Sequence, residues 1–338
     1  MKNNKPTVSI IMLCYNYAYL VSRALEGCKI QKTRDFELIF VNNASTDNTQ
    51  QVIENFKKQN EDMNIKIINV ENNKGPINGY NIGLQAANGK YIMIHDADDW
   101  MEHFCLDLLI DKANRTNADL VACNYQEVTP NNTIKRKRRF PLDFDVWTLN
   151  QLQGVIFKTE IIRENNIFFE KDCKSGDLFF IQKFAIYCKS VACIRRVLYN
   201  YLINPVSVTK KVDETWNKEE LHEWVPLNEV KKILVFTKEI ADSTDDENSK
   251  RQLCYTAVKN VDEGIILAKR QLDSKTYRDV RKEMLQALEN TYPHYKQNRQ
   301  IRYTHNSRTF LDRVCVKTIL EIDKMGMWNI FDKIVEII

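Results

Sequence analysis

Residues 89–100 read GKYIMIHDADDW. Gly89 and Lys90 mark a turn, Tyr91 to Ile94 form a short apolar run, and the run ends in Asp96, Asp98 and Asp99. A brief apolar run bounded by turn residues suits a strand covered on both faces. Three carboxylates packed at its end repel one another, so the segment asks for a cation. Side chains two apart on an extended chain share a face only if the strand stays regular. Here the chain is leaving the strand, and Asp96 and Asp98 are expected to do different jobs. Hard oxygen ligands suit Mg²⁺ or Mn²⁺, which usually take one or two protein carboxylates and complete their shell with phosphate oxygens and water.

The pattern extends outward on both sides. VSIIMLCYN (8–16), FELIFVNN (36–43), IKIINVEN (65–72) and ADLVACNYQEV (118–128) read as further strands. Between them Leu20, Ala24, Leu25 and Cys28, then Val52, Ile53 and Phe56, recur at helical spacing, the second set after several N-cap candidates. Residues 75–88 read as a helix closed by Gly89 as its C′ residue, and 102–115 as another. Such alternation predicts an α/β fold with a mostly parallel sheet. Ligands in open α/β sheets bind beyond the carboxyl ends of the strands. Tyr15-Asn16, VNNASTD (41–47) and DADD (96–99) all fall at such ends.

From 130 to about 210 the pattern loosens. TPNNTIKRKRRF (129–140) reads as a basic loop, QGVIFKTEIIRENN (153–166) and DLFFIQKFAIYCK (177–189) as helices, and CIRRVLYNYLIN (193–204) as a strand. Long, charged helical patterns follow, which predicts an α/β domain over 1–211 and an α-helical C-terminal domain over 212–338. The final segment places Met327, Ile330, Phe331, Ile334, Val335 and Ile338 on one helical face, expected to dock on the chain's own core or on a second copy.

Composition excludes several classes. With 28% charged and 43% hydrophobic residues over 338 positions, the chain is globular rather than disordered. Nine scattered cysteines form no C-x-x-C pair, and the five histidines have no zinc spacing, so reduced thiols in a cytoplasmic protein are expected. No apolar stretch is long enough to cross a bilayer, and the amino-terminal run is too short for a signal peptide. Lys135 to Arg139 are five consecutive cations. They read either as a solvated loop or as a contact for an anionic acceptor or the inner face of a membrane. Nucleic acid is not expected as a partner, because no aromatics interleave with them.

The strand motifs keep one order: VSIIMLCYN, FELIFVNNASTDNT, NNKGPINGYNIGLQAANGKY, IMIHDADDW. Together they resemble the family 2 glycosyltransferases, which have the GT-A fold. The likeness covers about residues 7–128 and continues more weakly to about 210, where KSGDLFF (174–180) resembles the family's G-E-D-x-x-F segment. It implies inverting transfer of a sugar from a nucleotide-sugar, with UDP the expected nucleotide, to a hydroxyl of a glycan, polyol-phosphate or lipid-linked acceptor. By the same resemblance Asp98 holds Mn²⁺ or Mg²⁺, Asp96 meets the ribose and Asp177 is the catalytic base. Leu13, Tyr15, Asn43, Asn73 and Tyr80 fall at positions around the nucleotide. Four positions depart from the family pattern: Leu13 stands for a proline, Asn43 for an Asp, Tyr80 for an Arg and Gly176 for a Glu. Asp177 therefore reads either as the base or as a helix N-cap, and Tyr80 either as a stack on the nucleobase or as packing. The alternative function is a nucleotide-sugar-binding protein of the same fold with impaired or altered transfer. A nucleotidyltransferase would open with a Gly-rich loop and a basic residue for the triphosphate, and IIMLCYNYAYL (10–20) has neither.

Overall fold

The computed structural model describes residues 5–141, 144–149, 151–170, 176–204 and 225–298, with 317, 321, 322 and 324–328. The chain divides into two compact units, one over 1–172 and 176–206, the other over 173–175 and 207–338.

In the first unit nine strands form one sheet: β1 (Val8–Cys14), β2 (Phe36–Asn42), β3 (Asn64–Asn69), β4 (Tyr91–Ile94), β5 (Trp100–Met101), β6 (Leu120–Val128), β7 (Ile134–Arg138), β8 (Val155–Lys158) and β9 (Val191–Leu202). Their order is β3-β2-β1-β4-β8-β6-β9-β5, with β7 paired to β6. The β3-β2-β1-β4 half is parallel, as the strand–helix alternation predicts. Helices α1 (Val21–Lys29), α2 (Thr49–Gln59), α3 (Pro76–Ala86), α4 (Cys105–Thr116), α5 (Thr159–Glu164) and α6 (Gly176–Tyr187) connect and cover the strands. β1, β2 and β4 are buried almost throughout, so their side chains pack on both faces.

The other half of the sheet departs from the sequence reading. β6 does not join β4; β8 lies between them, antiparallel to both. It occupies a stretch read as helix, because four apolar residues running straight into α5 carry no period that separates strand from helix. β7 occupies the stretch read as a basic loop. All five of its residues are exposed, so it has no buried face to generate an alternation and is held by its ladder to β6. β6 and β9 pair in parallel along their length.

Gly89 is not a left-handed C′ residue. Helix α3 ends on Ala87 in extended conformation, and the positive-φ glycines are Gly75, Gly154 and Gly326. Gly89 is required for another reason. Its amide donates to Ser9 Oγ at 2.7 Å, and a Cβ there would stand 2.5 Å from the Ser9 backbone nitrogen. Gly89→Ala must push two parallel strands apart, so it is expected to destabilise by about 1–3 kcal/mol. A urea midpoint unchanged from wild type would refute this.

The second unit contains helices α7 (Val225–Asp242), α8 (Glu247–Gln271) and α9 (Ser274–Thr291). Asp246 and Asp273 cap the last two, accepting from Ser249 N at 2.6 Å and Lys275 N at 2.9 Å. Leu227, Val230, Tyr255, Ile265, Tyr277 and Met284 belong to its core. A Cβ on Gly264 would meet Met284 and Val230 at 2.9 and 3.0 Å, so the three helices close on that glycine. The apolar face expected from Ile330 to Ile338, and the docking or self-association read from it, lie outside the described residues.

Candidate functional site

The site is built where β1, β2 and β4 stop. Beyond β1, Asn16 takes a left-handed φ of 55° and ties the first loop to the second: its amide donates to Ser45 Oγ at 3.0 Å, and its Oδ1 accepts from Thr46 N at 2.8 Å. Asp47 completes the bridge, accepting from Thr49 N at 2.9 Å and from Ala18 N at 3.2 Å. Tyr15, beside them, is 44% exposed. Leu13 is half-buried and leans on α3, where a Cβ at Gly79 would meet its Cδ1 at 2.2 Å.

Asn43 ends the second strand region, and its orientation is fixed by its neighbours. Its Nδ2 lies 2.9 Å from Asn73 Oδ1 and 3.2 Å from the Gly75 carbonyl. Gly75 O can only accept, and Asn73 Oδ1 already accepts from Gly75 N at 2.9 Å. The amide group of Asn43 must therefore face both of them, which leaves its Oδ1 buried and without a partner. Asn73 itself is exposed.

The three carboxylates after β4 diverge. Asp96 Oδ1 accepts from the Tyr80 hydroxyl at 2.8 Å, and its Oδ2 from Gln153 Nε2 at 3.0 Å. Asp98 turns toward the end of β9, where Asn204 Nδ2 donates to its Oδ2 at 3.0 Å. Burial first, then the neighbouring Asp96 charge, pushes the Asp98 carboxyl up to about 6, against the hydrogen bonds from Asn204 and Tyr17. Asp99 is fully buried and accepts from Leu202 N at 2.8 Å, which fastens this turn to β9. Burial, then Asp96 and Asp98, raises its carboxyl well above the ordinary range.

Asp177 is the second residue of α6, inside the first helical turn rather than at a cap. Its side chain is open to solvent but flanked by protein walls. Desolvation first and the Asp96 charge second push its carboxyl up to about 7. Burial first, then the charges of Asp96 and Asp177, raise the Tyr80 hydroxyl well above its ordinary range, so α3, α6 and the β4 end meet around this ring. Gly176 sits where a Cβ would stand 2.6 Å from Ile77 Cδ1, so at this position α6 is pressed against α3. The Tyr80 ring packs on Phe169 with centroids 5.3 Å apart.

Gln153, Asn204 and Tyr17 were missed by sequence reading. None carries a local signal, because each reaches the acidic turn from a distant segment. His95 belongs with them: it is fully buried, its Nδ1 meets Asp96 O at 2.8 Å, and its Nε2 has no partner.

This architecture has relatives. Residues 9–194, more than half of the chain, match the profile of the family described as Glycosyl transferase family 2. The chain belongs to glycosyl transferase family 2. Among curated relatives, this family 2 chain is 28% identical over 189 residues to the teichoic acid poly(glycerol phosphate) polymerase of Staphylococcus epidermidis, covering 53% of this chain and 26% of that protein. It is 25% identical over 211 residues to the poly(ribitol-phosphate) beta-N-acetylglucosaminyltransferase TarS of Staphylococcus aureus, covering 57% of this chain and 35% of that protein. The family 2 chain thus spans only part of these curated relatives, from 26% to 63% of the first three. Among solved structures, it resembles S. aureus TarS 1-349 in complex with UDP-GlcNAc (TM-score 0.63, 16% identity, 86% of this chain and 92% of that one). It also resembles the mannosyltransferase PcManGT of Pyrobaculum calidifontis in complex with GDP-Man and Mn²⁺ (TM-score 0.51, 16% identity, 88% and 89%). Both likenesses support the GT-A fold: a curled mixed sheet with a parallel half. Among the described residues no helix is long and apolar enough to cross a membrane.

Proposed function

We propose that the chain transfers a sugar from a nucleoside-diphosphate sugar to an acceptor hydroxyl with inversion. The observation that carries this reading is the convergence of Asp96, Asp98 and Asp177 beyond the strand ends, each held differently. Asp177, raised to about 7 and open to solvent, suits a base that takes the acceptor proton as the oxygen attacks the anomeric carbon. Asp96, gripped by Tyr80 and Gln153, suits the ribose hydroxyls. Tyr80 then acts through Asp96, as a positioning residue. The same placement of Asp177 favours transfer over mere nucleotide-sugar binding.

Asp98 fits a divalent cation: it is an oxygen ligand whose charged form is disfavoured until a cation arrives. Among the described residues no group of three or more His, Cys, Asp or Glu is placed to hold a metal ion, so diphosphate oxygens and water would supply most of the shell. When bound, Mn²⁺ or Mg²⁺ offsets the charge that develops on the departing nucleoside diphosphate.

The nucleotide follows from Asn43. With its amide group committed, it offers one buried acceptor, which a ring N–H of the base would satisfy. Uracil has that N–H; cytosine and adenine present a bare ring nitrogen there. Guanine shares the N–H, and UDP is preferred because TarS, a curated relative, was crystallised with UDP-GlcNAc. Leu13, Tyr15 and Asn73 would complete the walls around the base. A thermal-shift screen of UDP, GDP, CDP and ADP, each with and without Mn²⁺, tests this. UDP with Mn²⁺ should raise the melting temperature most, by the equivalent of about 2.7 kcal/mol at a hundredfold excess over Kd. An equal shift with CDP would remove the role given to Asn43. No shift with any nucleotide, and no sugar released from UDP-sugars, would remove the function.

A further inference from the structure

The five cations Lys135 to Arg139 play no part in the site as described, and the fold puts them next to it. β6 outlasts β8: their ladder stops at Ala122, while β6 runs on to Val128. β7 takes over the edge that β8 has left, pairing with Tyr125 through Val128. This stretch of β6 and β7 therefore projects beyond the strand ends, on the side of the site formed by Gln153 and β9. Ile134 stands opposite Val128 and Val128 opposite Leu202, so β7 begins two strand spacings, about 10 Å, from Leu202. Leu202 holds Asp99, and Asn204, just beyond it, holds Asp98. A second line of contact runs from Asp96 through Gln153 to Gln151, which bonds the Tyr125 hydroxyl opposite Arg138.

The charge on this strand is mostly uncompensated. Arg138 pairs with Glu127, whereas Lys135, Arg136, Lys137 and Arg139 have no carboxylate partner among the described residues. Lys135 has no partner on β6, because the register shifts between Glu127 and Val128, and Arg139 lies just past the end of β7; over the regular part Arg136 and Arg138 share one face and Lys137 takes the other. That is an exposed cluster of cations which begins two strand spacings from the residue that holds Asp99. A linear polyanion with free hydroxyls between its phosphates supplies both the negative charge this cluster takes and the hydroxyl the reaction needs. A bilayer fits less well, because the strand exposes one large apolar side chain, Ile134, and has nothing further to insert.

We propose that β7 is an acceptor-binding element, which seats the phosphates of a polyol-phosphate chain and delivers an intervening hydroxyl to Asp177. This rests on the transfer reading above. The test compares the full chain with a triple variant, Lys135→Gln, Lys137→Gln and Arg139→Gln, which leaves Arg138 and Glu127 to hold β7 on β6. The probes are a synthetic glycerol-phosphate oligomer, a neutral glucan of equal length, phosphatidylglycerol–phosphatidylcholine vesicles, and UDP with Mn²⁺. Wild type should bind the oligomer but not the glucan, and more weakly as salt is raised. The variant should bind the oligomer about tenfold more weakly or worse, with UDP binding and melting temperature unchanged. Equal oligomer affinity in both proteins would overturn the proposal, as would no oligomer binding by wild type. So would a variant that loses only vesicle binding. Normal UDP binding beside any of these results fails this inference alone, whereas absent UDP binding fails the transfer reading.

Discussion

Asp177→Asn is expected to lower sugar transfer by about 10²–10⁴-fold, the range a positioned general base contributes, while donor affinity stays within a few-fold of wild type. The substitution keeps the size of the side chain and its place in the first turn of α6, and it removes only the ability to take a proton. The pH profile separates this from a structural effect. A base works when ionised, and desolvation by the surrounding protein together with the Asp96 charge pushes Asp177 up to about 7. The kcat/KM of wild type should therefore rise as pH climbs through about 7 and level off above it. In the variant that rising limb should vanish, leaving a low rate. A variant that transfers sugar at near-normal rate, or keeps the same limb, would show that another group takes the proton.

Asp98→Ala should weaken binding of UDP in the presence of Mn²⁺ by about 10²-fold, equivalent to roughly 3 kcal/mol. Without the metal, the variant and wild type should bind UDP alike, because the lost carboxylate would be acting through the cation. Folding should not suffer. Asp98 is one of three carboxylates at the turn, its charged form is disfavoured by burial and by Asp96, and removing it relieves repulsion. The melting temperature of the unliganded variant is expected to equal or exceed that of wild type. Calorimetric titration of UDP with and without Mn²⁺ measures the coupling. Equal Mn²⁺ dependence in both proteins would move the metal away from Asp98.

The parallel half of the sheet was readable from the chain because its strands are buried on both faces, and burial writes itself into sequence as continuous apolar runs. β1, β2 and β4 carry that signal, and the acidic turn after β4 inherits its place from them. The order of motifs along the chain was enough to identify the family. β8 and β7 lacked such a signal, one too short to show a period and the other exposed on every residue, so their pairings emerged only from the fold. Asp96, Asp98 and Asp177 could be named from local motifs, but their separate environments could not. Tyr80 and Gln153 on Asp96, Asn204 on Asp98 and Leu202 on Asp99 come from segments 16 to 106 residues away. The orientation of Asn43 depends likewise on Asn73 and Gly75, some 30 residues on. Sequence by itself determined which residue types stand at the strand ends, because backbone periodicity and hydrophobic burial are local. Only the tertiary structure decided which carboxylate is shared, raised or locked, and where the basic strand lies, because hydrogen bonds and charge interactions depend on distance in space.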